Sequence, residues 1–204
     1  MPLQNRVTPQ GHIISTSARG DWLGNRGVIH NAGKQIVRPY KIKAWIICML
    51  HFRGRHREVM TPDRWTELFF LDEATAFSAG HRPCFQCRYA DHVRFKAAWL
   101  KGNPQYGFTD KTSIIEIDNI LQKERIDRKG NKVTYTALAQ SLPDGAFIGI
   151  DGDPYLIANG QMYGWSPFGY GKGLALPAGK AVTVLTPASI VNAFGAGYKP
   201  QMGV

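Results

Sequence analysis

The chain has 204 residues, enough to bury a core as one domain or two small ones, and its 44% apolar and 20% charged residues fit a soluble globular protein. The longest unbroken apolar run, residues 44–50, is far too short to span a membrane, and the N-terminal residues lack the apolar core of a signal peptide. Three cysteines, an odd number, argue against a secreted disulfide framework, so we expect a cytoplasmic protein with no membrane partner.

The net charge of +10 is concentrated in the N-terminal part of the chain. Residues 1–58 contain ten Lys and Arg residues against two acidic ones, with aromatic residues such as Trp22, Tyr40 and Trp45 among them. Basic surfaces with interleaved aromatic rings are typical of nucleic-acid-binding proteins. We therefore expect a nucleic-acid partner, DNA rather than RNA; a solvated basic face that only aids solubility is the alternative.

The first 37 residues predict an extended arm, a loop and a hairpin. Residues 12–14 are a short apolar run of strand type, and residues 20–27 form a glycine-rich loop. That loop lacks the Lys-Ser/Thr of a P-loop, so it does not predict mononucleotide binding. Its amides and Arg26 could surround an anion, but a purely structural loop with positive φ at its glycines is the favoured interpretation. Residues 28–30 and 35–37 flank a glycine-containing turn and predict the hairpin.

Residues 43–52 predict the clearest strand, apolar on both faces and therefore central in a sheet. The basic loop that follows at residues 53–57 has alternate arginines that could straddle a phosphate backbone. The predicted nucleic-acid contacts are Arg26, Lys41, Lys43, Arg53, Arg55 and Arg57.

Residues 65–99 predict a strand, a short helix, a cysteine turn and a second helix. Residues 68–71 are an apolar run of strand length, Asp72 is placed to cap the short helix, and Gly80 supplies the left-handed residue that ends it. The cysteine turn connects this unit to the second helix, on which two aromatic residues spaced by four share a face.

Cys84 and Cys87 form a Cys-x-x-Cys pattern in that turn. A tight turn that leads into a helix points both sulfur atoms to one side, and its amides stabilise thiolates, so the pair predicts half of a tetrahedral zinc site. Two alternatives stay open: a thioredoxin-type redox pair, which needs a preceding βαβ unit that is not predicted here, and two unconnected buried thiols.

Three features of this stretch carry a resemblance: Leu-Phe-Phe at residues 68–70, the alanine-rich helix, and Ala-Gly-His-Arg-Pro-Cys-x-x-Cys-Arg at residues 79–88. Together they are similar to the second half of the metal-binding domain of the bacterial alkylation-response protein Ada, which implies zinc and proximity to DNA. Ada-type domains have two further upstream cysteines, four residues apart, whereas this chain has only Cys48. Blocks at residues 5–9, 24–27 and 79–84 also resemble a bacterial protein family, a likeness that implies no activity.

One zinc is therefore predicted, with a histidine completing the ligand set: Cys48, Cys84, Cys87 and His30. His81 and His51 are the alternatives to His30, and His51 is disfavoured because it lies three residues from Cys48, an odd offset along a strand. In Ada-type domains a zinc-bound thiolate accepts a methyl group from a DNA phosphotriester. We expect Cys48 to be structural instead, since it lies in a predicted buried strand, so that its loss costs folding rather than activity.

After residue 110 the sequence predicts one helix and then antiparallel strands. A capping box at Ser113–Glu116 begins a helix expected to reach about residue 129. Short strands are expected at residues 146–150, 155–158, 161–165 and 181–185. Residues 166–171 are expected to be a long aromatic loop, and Thr186 to cap a final helix.

The predicted fold is α+β: a mixed sheet with a zinc knuckle and helices at residues 1–110, followed by a helix and a small antiparallel β region at residues 111–204, packed as one unit. The predicted function is nucleic-acid binding with a structural zinc. No catalytic constellation is recognisable. The alternatives are a nucleic-acid-modifying or repair enzyme with a pocket near the Trp165–Tyr170 loop, and a protein-interaction module.

Overall fold

The computed structural model describes residues 1–54 and 58–204, and within these ranges the chain is α+β, as predicted. One mixed six-stranded sheet comes from the first half of this described chain, and one antiparallel six-stranded sheet comes from the second half. Four helices accompany the two sheets in the same ranges. The division at residue 110 stays a prediction.

The first sheet contains the strands β1 Gln4–Val7, β2 Ile13–Ser15, β3 Trp22–Asn25, β4 Ile46–Met49, β5 Leu68–Phe70 and β6 Arg82–Pro83. Their order is β2-β1-β5-β3-β4-β6, with parallel pairing of β1 to β5 and of β4 to β6. The strand predicted at residues 43–52 is present as β4 and is paired on both sides, but it is shorter than predicted and lies one place from the edge of the sheet rather than at its centre. The chain bends at residues 50–51, and β4 is next to the two-residue edge strand β6.

The second sheet contains the strands β7 Tyr135–Leu138, β8 Phe147–Ile150, β9 Asp153–Ala158, β10 Gln161–Ser166, β11 Gly169–Ala175 and β12 Ala181–Val184. Their order is β11-β10-β9-β8-β12-β7. The predicted aromatic loop is instead the tight turn between β10 and β11, where Ser166 pairs with Gly169. Three glycines alternate along β11 and remove the apolar alternation by which a strand is recognised, so the sequence did not predict it.

The helices are α1 Glu73–Ser78, α2 Tyr89–Gly102, α3 Ile114–Arg125 and α4 Ala188–Gly195. Asp72 caps α1 as predicted, because its Oδ1 accepts a hydrogen bond from the Thr75 amide at 2.8 Å. Gly80, with φ 88°, follows the end of this helix. The predicted cap of α3 at Ser113 is confirmed, but the helix ends at Arg125 rather than near residue 129.

Helix α1 lies at the centre of the main core. Its Phe77 ring contacts the rings of Phe95 on α2, Phe194 on α4, and Tyr198, each with a centroid distance of 5.3 Å. All six residues of α1 are buried. Burying one such ring stabilises the fold by about 1.5–3 kcal/mol, so this cluster fixes α1, and with it the ends of β5 and β6 that α1 connects.

The aromatic turn between β10 and β11 packs against α1. The Trp165 indole donates to Thr75 Oγ1 at 3.1 Å, and the Tyr170 hydroxyl donates to Asp72 Oδ2 at 2.7 Å. These contacts join the second sheet to the helix that leads to the cysteine turn. Trp165 and Tyr170 therefore hold the two sheets together, and these contacts do not favour the enzyme pocket predicted beside them.

Candidate metal centre

The structure brings the three cysteines together. Cys48 lies on β4, and Cys84 and Cys87 lie in the turn between β6 and α2; their sulfur atoms all lie within 4.8 Å of one another. The pairing of the strands explains this, since β6 runs parallel to β4 and the Cys84 amide donates to the Ile47 carbonyl at 2.9 Å. The prediction that Cys48, Cys84 and Cys87 lie together is therefore confirmed.

The turn is shaped so that amides point at sulfur. The Gln86 amide donates to Cys84 Sγ at 3.3 Å, and the Arg88 amide donates to the Cys84 carbonyl at 3.2 Å as α2 begins. Hydrogen bonds from the Cys48 and Cys87 thiols lower the pKa of Cys84 to about 2, and the same bond to Cys84 raises the pKa of Cys48. Of the three cysteines, only Cys84 has a lowered pKa, and a bound cation would favour the thiolate form of all three, because the thiolate is the form that ligates a metal.

Three thiolates at this spacing fit a metal of zinc type. A zinc–sulfur bond of about 2.3 Å places the sulfur atoms of a tetrahedral site about 3.8 Å apart, well inside the observed limit of 4.8 Å. Soft thiolate ligands select zinc, copper(I) and iron–sulfur clusters over magnesium or calcium. The three cysteines can therefore hold one ion, with one coordination position not taken by a cysteine.

His30 does not belong to the cluster that the described residues form. It is buried, with Nδ1 2.6 Å from Thr66 Oγ1 and Nε2 3.2 Å from the Thr61 carbonyl oxygen, so both ring nitrogens are engaged elsewhere. The hairpin strand on which the prediction rested is only an isolated bridge from His30 to Ile36. The prediction of His30 as the fourth ligand is not supported.

The two alternative histidines have different surroundings. His81 is fully buried between the rings of Trp45 and Phe70, and its Nε2 accepts a hydrogen bond from the Arg26 Nε at 3.3 Å. His51 is exposed and lines the same cavity as the three cysteines. Of the histidines considered from the sequence, His51 is therefore the one that shares a surface with the cluster.

A cavity of about 500 Å³ opens beside the cysteines, which form part of its wall. Glu67 also lines it, is 2% exposed, and accepts a hydrogen bond from the Met60 amide at 2.8 Å. Cys48 is half-buried at this wall. The expectation that Cys48 is enclosed in a buried strand is therefore wrong, because the outer face of β4 borders the cavity.

Two exposed aromatic rings lie at the cysteine turn, one within it and one at the start of α2. Phe85 is 62% exposed and Tyr89 is 58% exposed, and their ring centroids lie 5.2 Å apart. Sequence reasoning missed this pair, because Phe85 precedes α2, which begins at Tyr89, and so no helical spacing connects the two rings. Val93, four residues further along α2, is also exposed and extends the stripe.

The predicted nucleic-acid contacts divide into exposed and buried residues. Lys41, Lys43 and Arg53 are exposed. The two lysines are the sequence neighbours of Ile42, and Arg53 directly follows Phe52. Ile42 and Phe52 both line the cysteine cavity. Arg55 and Arg57 lie outside the described residues. Arg26 is 2% exposed, which corrects its assignment, because a nucleic-acid backbone cannot reach a side chain buried under the Trp45 ring.

Comparison with protein-family models finds no match for this chain, and comparisons with curated proteins and with solved structures find no significant similarity. The described part of the chain contains no helix with the length and apolar character that crossing a bilayer requires.

Proposed function

We propose that this protein is a zinc protein that binds nucleic acid, with Cys48, Cys84 and Cys87 as zinc ligands. The observation that carries the proposal is the convergence of three sulfur atoms, from β4 and from the start of α2, within 4.8 Å. Metal binding at such a cluster contributes directly to folding, because the unfolded chain does not hold the ligands together. The zinc would then fix the position of α2 against the first sheet.

The surface around the cysteine cavity supports a nucleic-acid partner. Lys41, Lys43 and Arg53 are exposed cations whose sequence neighbours Ile42 and Phe52 line the cavity. The exposed rings of Phe85 and Tyr89 lie in the cysteine turn and at the start of α2. Cations that track phosphates together with aromatic rings that stack on bases are the usual elements of single-strand recognition. Such a surface gives salt-dependent affinity with little sequence preference. The resemblance to Ada-type domains points the same way.

The zinc assignment is tested by metal analysis of protein purified without added metal, followed by X-ray absorption at the zinc edge. We expect one zinc per chain, coordinated by three sulfur atoms and one nitrogen or oxygen atom. Replacement of Cys84 or Cys87 by serine is expected to reduce the zinc content well below one ion per chain. His51→Ala tests whether this histidine is the nitrogen ligand. Metal-free protein with unchanged thermal stability would contradict the assignment.

The nucleic-acid assignment is tested by fluorescence anisotropy with single-stranded and duplex DNA and RNA over a series of salt concentrations. Replacing Lys41, Lys43 and Arg53 together by alanine is expected to flatten the slope of log affinity against log salt by about 2–3, since each lost phosphate contact removes about 0.7–0.9. The matched control removes three exposed lysines elsewhere: Lys172, Lys180 and Lys199. Equal effects of the two triple variants would show that only net charge matters.

A second candidate function is a metal-dependent enzyme that modifies nucleic acid. The cavity of about 500 Å³ beside the cysteines favours it, because catalytic zinc sites keep one coordination position open toward a substrate pocket. For such an enzyme, the substrate pocket would be the cavity beside the cysteines rather than one near Trp165. Binding of free nucleosides to the zinc-loaded protein, weakened by Phe52→Ala at the cavity wall, would favour the enzyme. Nucleic-acid binding that free nucleosides do not inhibit would favour a binding protein.

A further inference from the structure

A second cavity, of about 400 Å³, is lined in part by Trp45 and shares no lining residue with the cysteine cavity. Its walls come from the N-terminal arm at residues 10–13, from Trp45 before β4, and from the end of α3 with the loop that follows. Three cationic side chains line it: Arg26, Arg125 and Lys132. None of the residues that line it within the described chain is an Asp or Glu.

The two arginines are buried and lie close to one ring. The guanidinium carbons of Arg26 and Arg125 each lie 4.0 Å from the centroid of the Trp45 ring, and both side chains are 2% exposed. A ring quadrupole attracts cations but does not cancel their charge. Asp118 acts favourably on Arg125, but both oxygens of its carboxylate accept hydrogen bonds from Arg82, at 2.7 and 2.6 Å.

The hydrogen bonds of the three cations go to neutral acceptors. Arg26 Nη1 donates to the Gly11 carbonyl at 3.1 Å, Arg125 Nη1 donates to the Gly80 carbonyl at 2.9 Å, and the Lys132 ammonium group donates to the Ser78 carbonyl. Among the residues that the structure describes, Arg26 Nη2 and Arg125 Nε have no hydrogen-bond partner. Leaving a buried charged donor without a partner is unfavourable, so these atoms indicate a missing acceptor.

The pKa values of the basic groups around this cavity are all lowered, which agrees with a missing negative charge. Burial, followed by the repulsion of Arg26 and Arg125, lowers the pKa of Lys132 to about 7. Burial also lowers the pKa of each arginine, and burial together with the two guanidinium groups lowers the pKa of His81. A group of cations that destabilise one another in this way is stabilised by an anion placed among them.

We propose that this cavity binds a phosphate group, held by Arg26, Arg125 and Lys132 beside the Trp45 ring. Three cations match a dianion better than a single carboxylate, and guanidinium groups match the geometry of phosphate oxygens. A chloride ion would use few of the available donors. The cavity of about 400 Å³ has room for more than one phosphate group, since a water molecule occupies only about 30 Å³ and a phosphate group has only a few times as many heavy atoms. The side chains of Ile13, Ile36 and Pro39 form an apolar part of its wall, against which a small organic group could pack.

The site differs from the proposed nucleic-acid surface in its burial. Arg26 and Arg125 are enclosed, so the ligand is a small molecule or a free ion and not a polymer backbone. In this proposal the glycine-rich loop contributes the Arg26 side chain to the anion site, and its backbone amides take no part. The proposal does not depend on zinc or on nucleic-acid binding.

Isothermal titration calorimetry of the full chain in phosphate-free buffer tests the proposal. The probes are inorganic phosphate, methyl phosphate, ribose 5-phosphate and, at matched ionic strength, sodium chloride. We expect saturable binding of one phosphate group per chain, weakened about tenfold or more by Arg26→Met and by Lys132→Met. The matched controls Arg53→Met and Lys41→Met, both at exposed cations, are expected to bind as the parent does.

The probes also separate the two sources of the phosphate group. Ribose 5-phosphate binding about tenfold tighter than inorganic phosphate would assign a phosphomonoester, and equal affinities would assign the free ion. Heats that do not saturate, or that remain unchanged in Lys132→Met, would overturn the proposal. Lys132 is only partly buried, so its variant keeps the test decisive if the Arg26 variant does not fold.

Discussion

Arg88, the first residue after the cysteine turn, forms a buried ion pair of 2.7 Å with Glu73, the first residue of α1. Both side chains are less than 5% exposed, and the Arg88 guanidinium lies 4.0 Å from the centroid of the Trp22 ring. Glu73 also accepts hydrogen bonds from the Tyr198 hydroxyl at 2.8 Å and from the Gln201 amide at 2.9 Å. The ion pair thus links the candidate metal centre to the helix at the middle of the core and to the C-terminal segment.

Replacement of Glu73 by glutamine is expected to lower the free energy of unfolding by about 3 kcal/mol, because it leaves the buried Arg88 charge with only the half-exposed Asp91 as a partner. Urea denaturation measures the change. The control is Glu58→Gln, which removes an exposed pair with Lys34 of 2.6 Å and is expected to leave stability unchanged. If the two variants have the same free energy of unfolding, the buried ion pair does not stabilise the fold.

Local signals in the sequence predicted much of the path that leads to the cysteines. The cap at Asp72, the end of α1 before Gly80 and the Cys-x-x-Cys turn depend on neighbours in sequence, so side-chain chemistry alone indicates them. The convergence of Cys48 with Cys84 is a tertiary fact. Cys48 entered the predicted ligand set because structural zinc prefers four ligands and the chain has only three thiols, whereas no local pattern states which strand lies beside β6.

The residues that the sequence did not predict are those set by long-range packing. Arg26 reads as a surface cation, yet it is buried because Trp45 and Arg125, from separate segments, meet at its position. His30 reads as a free histidine, yet two threonines take both of its ring nitrogens. Burial of charge and the identity of a hydrogen-bond partner depend on segments far apart in the chain, and one sequence does not pair those segments.

Cys48 is expected to act as a structural ligand. Its replacement by serine removes one of three thiolates, so zinc content and melting temperature should both fall. Parent protein incubated with DNA that carries methylphosphotriesters is expected to keep its mass, because Cys48 is half-buried at the cavity wall and a duplex backbone must enter the cavity to reach it. A stable gain of one methyl group on Cys48 in mass spectrometry would instead assign an acceptor role.

The exposed pair Phe85 and Tyr89 is expected to contribute to nucleic-acid affinity and little to stability. Replacing each ring by alanine should weaken binding of single-stranded DNA by about 1–3 kcal/mol per stacked base, with a small change in melting temperature. Fluorescence anisotropy measures the affinity. Phe168→Ala, at an exposed ring on the β10–β11 turn, is the matched control and should bind normally. Tight binding that persists without Phe85 and Tyr89 would leave this stripe as a protein-docking surface.

Lys132 is expected to make stability depend on pH in phosphate-free buffer. Burial, and after it the charges of Arg26 and Arg125, lowers its pKa to about 7 in the fold, against about 10.4 in the unfolded chain; His81 is the neighbouring group that also titrates. Between these values the unfolded chain binds a proton that the folded chain does not, so stability rises with pH from 7 toward 10 and is lowest below 7. Lys132→Met removes this dependence and should therefore be more stable than the parent at pH 7. Its gain in unfolding free energy over the parent should be about 1–2 kcal/mol larger at pH 7 than at pH 9, after allowance for partial exposure.

Chemical denaturation at the two pH values measures the difference, and exposed Lys41→Met is the control. Added phosphate should raise the stability of the parent more than that of Lys132→Met; a gap between the two proteins that is the same at pH 7 and pH 9 would show that Lys132 keeps its ordinary pKa.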